Sequence, residues 1–152
     1  AKVDHSFSTV LIPGSGTYGV ESVLSSIPNN GKLAIFSNGA YGKRMADIAR
    51  INNLNYIHIE RKDNQIVSPG LVSETLKSNS DVTHISLVHS ETTTGILNPI
   101  HDIGSTINQI NGDIRYIVDA MSSFGGIPID MMGANIDYLI SSSNKCIESD
   151  LS

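Results

Sequence analysis

Short apolar runs alternate along this chain with longer amphipathic stretches. Residues 9–12, 33–37, 56–59, 84–89, 115–118 and 138–140 are close to continuously apolar, which predicts strands covered on both faces. Between them, residues 17–26, 41–52, 68–77 and 100–110 carry helical spacing; Met45, Ile48, Ala49 and Asn52 fall on one face. Glycine and asparagine mark the joints, as at Pro28-Asn29-Asn30-Gly31 and Asn111-Gly112. Such β–α alternation predicts an α/β fold, a three-layer α/β/α arrangement around a mainly parallel sheet. No repeat, low-complexity tract or interdomain linker interrupts it, so residues 1–152 read as a single unit.

In an open parallel sheet, ligands bind outside the carboxyl ends of the strands. Here those ends carry glycine-rich or polar loops: "PGSGTYG", "SNGAYGKR", "HSETTTG", "DAMSSFGG" and "SSSNK". Composition narrows the chemistry. A net charge of -5, charged residues at only 16%, no basic run and few aromatics argue against a nucleic-acid partner. No apolar run approaches the roughly 18 residues of a membrane span. The amino terminus shows no signal-peptide pattern. A lone cysteine, Cys146, excludes an internal disulfide framework and suggests a reducing compartment. A cytoplasmic protein is the expectation.

Three groups stand out at the strand ends. Gly14-Ser15-Gly16-Thr17-Tyr18-Gly19 joins a predicted strand to a helix start, where free N–H groups and the helix dipole favour an anion. A plain tight turn explains that loop equally well, and it is neither a full dinucleotide fingerprint nor a Walker loop. Asp119 follows a buried run; such a carboxylate is an N-cap, a core hydrogen-bonding group, or a partner for a protonated ring nitrogen. Lys145 lies one loop–helix–strand length beyond it, on a neighbouring or near-neighbouring strand end, where desolvation would free its amine as a nucleophile. A solvated surface lysine is the simpler reading of Lys145 alone. The three together match the aldehyde, ring nitrogen and phosphate of pyridoxal phosphate.

The segments "NGAYGKR", "HSETTTGILNPI", "VDAMSSFGGIPID" and "SSSNKC" resemble the 2-aminoethylphosphonate–pyruvate aminotransferases. These are class-V, fold-type I pyridoxal-phosphate enzymes related to the alanine–glyoxylate aminotransferases. The resemblance implies transfer of an amino group from 2-aminoethylphosphonate to pyruvate, giving phosphonoacetaldehyde and alanine, in a homodimer. It implies that Lys145 binds the cofactor aldehyde and shuttles a proton, and that Asp119 pairs with the ring nitrogen. Gly16 and Thr17 would grip the phosphate with Ser15 close by, and Tyr41 would stack on the ring, unless it is simply the first residue of a helix. Thr93 would approach the phenolic oxygen, Met121 would pack beside the ring, and Asn144 would sit by the lysine and phosphate. Lys43 and Arg44 read as a solvated helix face, though a phosphonate needs cations and both are candidates. His89 and Glu91 receive no role, the other histidines show no metal-ligand spacing, and Cys146 reads as a buried neighbour of Lys145.

Family chains are more than twice this length. The resemblance therefore implies that residues 1–152 are part of the large, cofactor-binding domain, without the C-terminal small domain and its substrate-binding arginine. Weak or absent activity is expected of this chain alone. Three alternatives stay open: an alanine–glyoxylate-type aminotransferase, a non-catalytic remnant that folds and associates, and a nucleotide-binding α/β domain using the loop at 14–19.

Overall fold

The computed structural model describes residues 7–62 and 64–145. Its elements are α1 (Gly16–Ser25), β1 (Leu33–Ser37), α2 (Ala40–Ile51), β2 (Tyr56–Glu60), α3 (Pro69–Ser78), β3 (His84–Val88), β4 (Ser90–Glu91), β5 (Ile96–Leu97), α4 (Ile100–Ile110), β6 (Arg115–Asp119) and β7 (Tyr138–Ile140). Five strands form one sheet in the order β2-β1-β3-β6-β7, parallel at every pairing. The chain starts in the interior at β1, steps out to β2, and returns to the other side at β3. The strand order therefore reverses between β1 and β3, the kind of position where open sheets bind ligands. β4 and β5 form a small antiparallel hairpin beyond β3.

Strand residues alternate between two apolar layers. Ala34, Phe36, Ile85, Leu87, Tyr116 and Val118 pack with Val72 and Leu76 of α3 and Ile100, Ile103 and Ile107 of α4. Leu33, Ile35, Val88, Ile117 and Ile140 face Val20 and Leu24 of α1 and Met45, Ile48 and Ala49 of α2. Each face thus carries two helices, which is the three-layer α/β/α arrangement expected from the sequence. Helix limits obey local chemistry. Ser68 caps α3 by accepting from Leu71 N–H, with Pro69 at the first helical position. α2 ends where Asn53 takes φ 52, a left-handed conformation that asparagine tolerates.

Two expectations need correction. Residues 9–12 form no strand: Val10, Leu11 and Ile12 are exposed at 78%, 89% and 42%. An apolar run becomes a strand only when neighbouring backbone meets its N–H and C=O groups, and no described strand pairs with it. The connection from β6 to β7 also lacks the expected helix. It folds as successive turns closed by Ser123 N–H to Ala120 O, Ile127 N–H to Ser123 O and Ala134 N–H to Asp130 O. Gly125 at φ 92 and Asn135 at φ 51 supply its left-handed positions. Cys146, expected as a buried neighbour of Lys145, lies outside the described residues.

That connection packs tightly on α4, because Gly104 is buried and a Cβ there would collide with the Ala134 carbonyl. Gly104→Ala should therefore cost about 1–3 kcal/mol. A urea titration checks this: the midpoint should fall with an unchanged slope.

Candidate active site

The loops at the carboxyl ends of β1, β6 and β7 converge with the amino end of α1 on a cleft of about 110 Å³. Its lining includes Gly16, Thr17, Tyr41, Asp119, Met121, Asn144 and Lys145, so seven residues singled out from sequence meet in one hollow. Ser15 and Thr93 stand outside the lining. Ser15 is the exposed N-cap of α1, and its side chain makes no capping bond. Thr93 donates to Glu91 Oε1 at 2.7 Å and accepts the Ala40 N–H at 3.1 Å.

Asp119 is the last residue of β6 rather than the first beyond it, and is only 4% exposed. Its Oδ1 accepts the Met121 N–H at 2.9 Å, and no described residue hydrogen-bonds its Oδ2. Burial pushes its pKa up to about 6, with the Met121 N–H pulling it down and the Glu91 charge adding to the rise. β6 and β7 are hydrogen-bonded neighbours, with Asp119 opposite Ile140, so Lys145 follows the adjacent strand end as expected. Lys145 itself is exposed at the rim. The expected desolvation of its amine is therefore not found, because the Ser142–Asn144 stretch carries it on a surface turn.

The other walls come from helices. Gly14, at φ 145, turns the chain into α1, whose first residues, Gly16 and Thr17, line the cleft without a side-chain cap. Gly16 lies where a Cβ would collide with Met121, so glycine is what lets that helix end come close. Tyr41 sits at the first turn of α2, 39% exposed, with the Arg44 guanidinium 5.7 Å from its ring centre. Arg44 also lines the cleft, whereas Lys43 turns away to pair with Glu60 at 2.9 Å. Sequence reasoning did not assign Ser142, Val20, Met45 or Ile48 to the lining; helical spacing places the last three on the α1 and α2 faces that meet there.

His58, His84 and His89 have hydrogen-bond partners. His89 is 4% exposed and bonds Ser123 Oγ through Nδ1 at 2.9 Å, and burial lowers its pKa. His58 meets Ser37 at 2.7 Å. Among the described residues no group of His, Cys, Asp and Glu is placed to hold a metal ion. The cleft does fit pyridoxal phosphate. A desolvated acid with one oxygen free suits a protonated ring nitrogen, a bare helix amino end suits a phosphate, and a rim amine suits an aldehyde.

The α/β sheet thus sets an acid and an amine on adjacent strand ends, beside the amino end of a helix. The chain belongs to the aminotransferase class-V family, which it matches over residues 10–148; these are pyridoxal-phosphate enzymes. It is 52% identical over 143 residues to a bifunctional phosphonoacetaldehyde hydrolase/aminoethylphosphonate transaminase of Clostridioides difficile, covering 93% of this chain and 22% of that one. Against a 2-aminoethylphosphonate–pyruvate transaminase of Bacteroides fragilis the identity is 50%, over 93% of this chain and 39% of the relative. Among solved structures, pyridoxamine-pyruvate aminotransferase from Mesorhizobium loti superposes with a TM-score of 0.80 at 29% identity, covering 88% of this chain and 34% of that one. The chain spans well under half the length of these relatives.

The raised pKa of Asp119 has a consequence for stability. An acid whose folded pKa lies above its unfolded value makes the native state bind an extra proton, so stability falls as pH rises from about 4 to about 6. Above that window the full penalty remains, on the order of 2–3 kcal/mol. Asp119→Asn should therefore be more stable than the parent at pH 7 and lose this slope. Urea midpoints between pH 4 and pH 7 check it; equal slopes in both proteins would contradict it.

Proposed function

We propose that the protein to which this chain contributes is a pyridoxal-phosphate-dependent aminotransferase that moves the amino group of 2-aminoethylphosphonate to pyruvate. The observation that carries this reading is the single cleft shared by Asp119, Lys145 and the amino end of α1. The choice of donor is supported by the names of relatives about half identical to this chain. Residues 1–152 then make up cofactor-binding large-domain structure. A homodimer is part of the proposal, supported by the apolar Val10 and Leu11 left exposed. A cytoplasmic setting is proposed too; among the described residues no helix is long and apolar enough to cross a membrane.

When bound, pyridoxal phosphate supplies the electron sink for transamination. Asp119 Oδ2 would hold the proton of the ring nitrogen, a charge pairing that would offset the carboxylate's burial. Gly16 and Thr17, at the α1 amino end, would hold the phosphate with the help of the helix dipole. Tyr41 and Met121 would pack against the ring. Lys145 Nζ would hold the aldehyde and, from its exposed place at the rim, would move a proton at the substrate carbon. Arg44 brings to the cleft a guanidinium with no carboxylate partner among the described residues, suited to the substrate's phosphonate.

Titration with pyridoxal phosphate tests the reading. A visible absorption band should grow to saturation, and Lys145→Ala should abolish it. Asp119→Asn should keep the band but weaken binding at least about tenfold, the cost of losing one charge-assisted contact. ATP should not compete. No band at saturating cofactor, or displacement by nucleotide, contradicts it. Transamination by this chain alone is expected to be weak or absent, since it spans 22% to 40% of its relatives' length.

A further inference from the structure

Among the described residues, Glu91 is the one acid whose side chain is fully buried, at 0% exposure. A carboxylate so placed is costly unless several donors meet it, and here they come from one place. Glu91 Oε2 accepts the N–H groups of Tyr41 at 3.1 Å and Gly42 at 3.2 Å, and Oε1 accepts the Thr93 hydroxyl. Thr93 in turn accepts the Ala40 N–H. The first three N–H groups of α2 are thus satisfied by the β4 region, about fifty residues away in sequence.

A local cap would be the ordinary solution, and this helix has none. Gly39 stands at the N-cap with no side chain to offer, and its φ of 176 is open to any residue. Space rather than dihedral freedom demands glycine, because a Cβ at Gly39 would collide with the Glu91 carboxyl group and crowd Thr93. The helix has given up a serine or aspartate cap to admit an acid from another loop. What the exchange achieves is registration. The turn that bears Tyr41 and leads to Arg44, both on the cleft wall, is tied directly to the loop after β3, the strand next to Asp119's own.

We propose that Glu91 is a positioning residue of this cleft: its carboxylate, seated in the room left by Gly39, fixes the first turn of α2 and so holds the Tyr41 ring on the cofactor wall. This rests on the pyridoxal-phosphate reading for its purpose but not for its geometry, and two readouts keep them apart. The chain contains no tryptophan, so Tyr41→Trp installs a single fluorophore on the wall itself. In that background Glu91→Leu removes both acceptor oxygens while keeping an apolar side chain of similar size. Without any cofactor, the indole emission should shift to the red and become more readily quenched by acrylamide. Pyridoxal phosphate should then bind about tenfold more weakly, the effect of losing charge-assisted hydrogen bonds. Glu91→Gln keeps an oxygen for both N–H groups and should recover most of both signals. A role confined to stability predicts otherwise: a shifted melting temperature with emission and affinity unchanged, and that result overturns the proposal. If Glu91→Leu fails to fold, Gly39→Ala displaces the carboxylate without removing it and should give the same two changes. Failure of both variants to fold would also overturn it, since the contact would then serve the fold and not the cleft. If the parent binds no cofactor, the functional reading falls while the indole emission still decides the role of Glu91.

Discussion

Asp119 closes β6 with its side chain 4% exposed, and the described residues give its carboxylate a single backbone N–H, from Met121. Lodging a charge in that way costs free energy unless something outside the protein pairs with it. The parallel sheet explains why the cost falls there. Every strand ends on the same side, so β1, β6 and β7 deliver their loops to one rim, and the reversal of strand order between β1 and β3 opens room between them. The same geometry brings a lysine and a bare helix end to the acid. A cationic ring with a phosphate tail and a reactive carbonyl satisfies all three at once.

Around that acid the loops are bound to one another rather than to solvent. Glu91 and Thr93 hold the start of α2. Asn38 and Asn98 exchange amide hydrogen bonds at 2.9 and 3.2 Å, and Asn98 also accepts the Val67 N–H and donates to Val88 O. His89 donates its backbone N–H to Asp119 O and bonds Ser123 with its ring, linking the ends of β3 and β6. Polar groups buried in this way are costly unless fully satisfied, and when satisfied they rigidify. A preformed cleft needs that rigidity, since loops are otherwise the most mobile parts of such a fold.

Much of this is legible from sequence for identifiable reasons. Leu33–Ser37 and, after the exposed Arg115, the rest of β6 are buried on both faces, so their apolar runs are nearly continuous and bounded by turns. Lys145 and Asp119 stand out because charged groups are costly beside a buried strand end, and Gly16 because it belongs to a glycine-rich turn that opens a helix. What escapes a sequence reading depends on distance in three dimensions. Residues 9–12 look like a strand because they are apolar, but pairing cannot be read from one segment. The turn-rich crossover before β7 packs through Gly104, whose role is visible only against Ala134. Glu91 shows no role in the sequence because its main partners are backbone N–H groups, which no side-chain pattern reveals.

On the proposed function, Asp119 is held desolvated until a positive ring nitrogen pairs with it. A carboxyl-carbon NMR titration of Asp119, with and without pyridoxal phosphate, measures this most directly. The expected result is an apparent pKa near the value of about 6 set by burial in the free chain, and a fall below the ordinary carboxylate value of about 4 once cofactor is bound. An ordinary pKa in the free chain, or one that cofactor leaves unmoved, would contradict it.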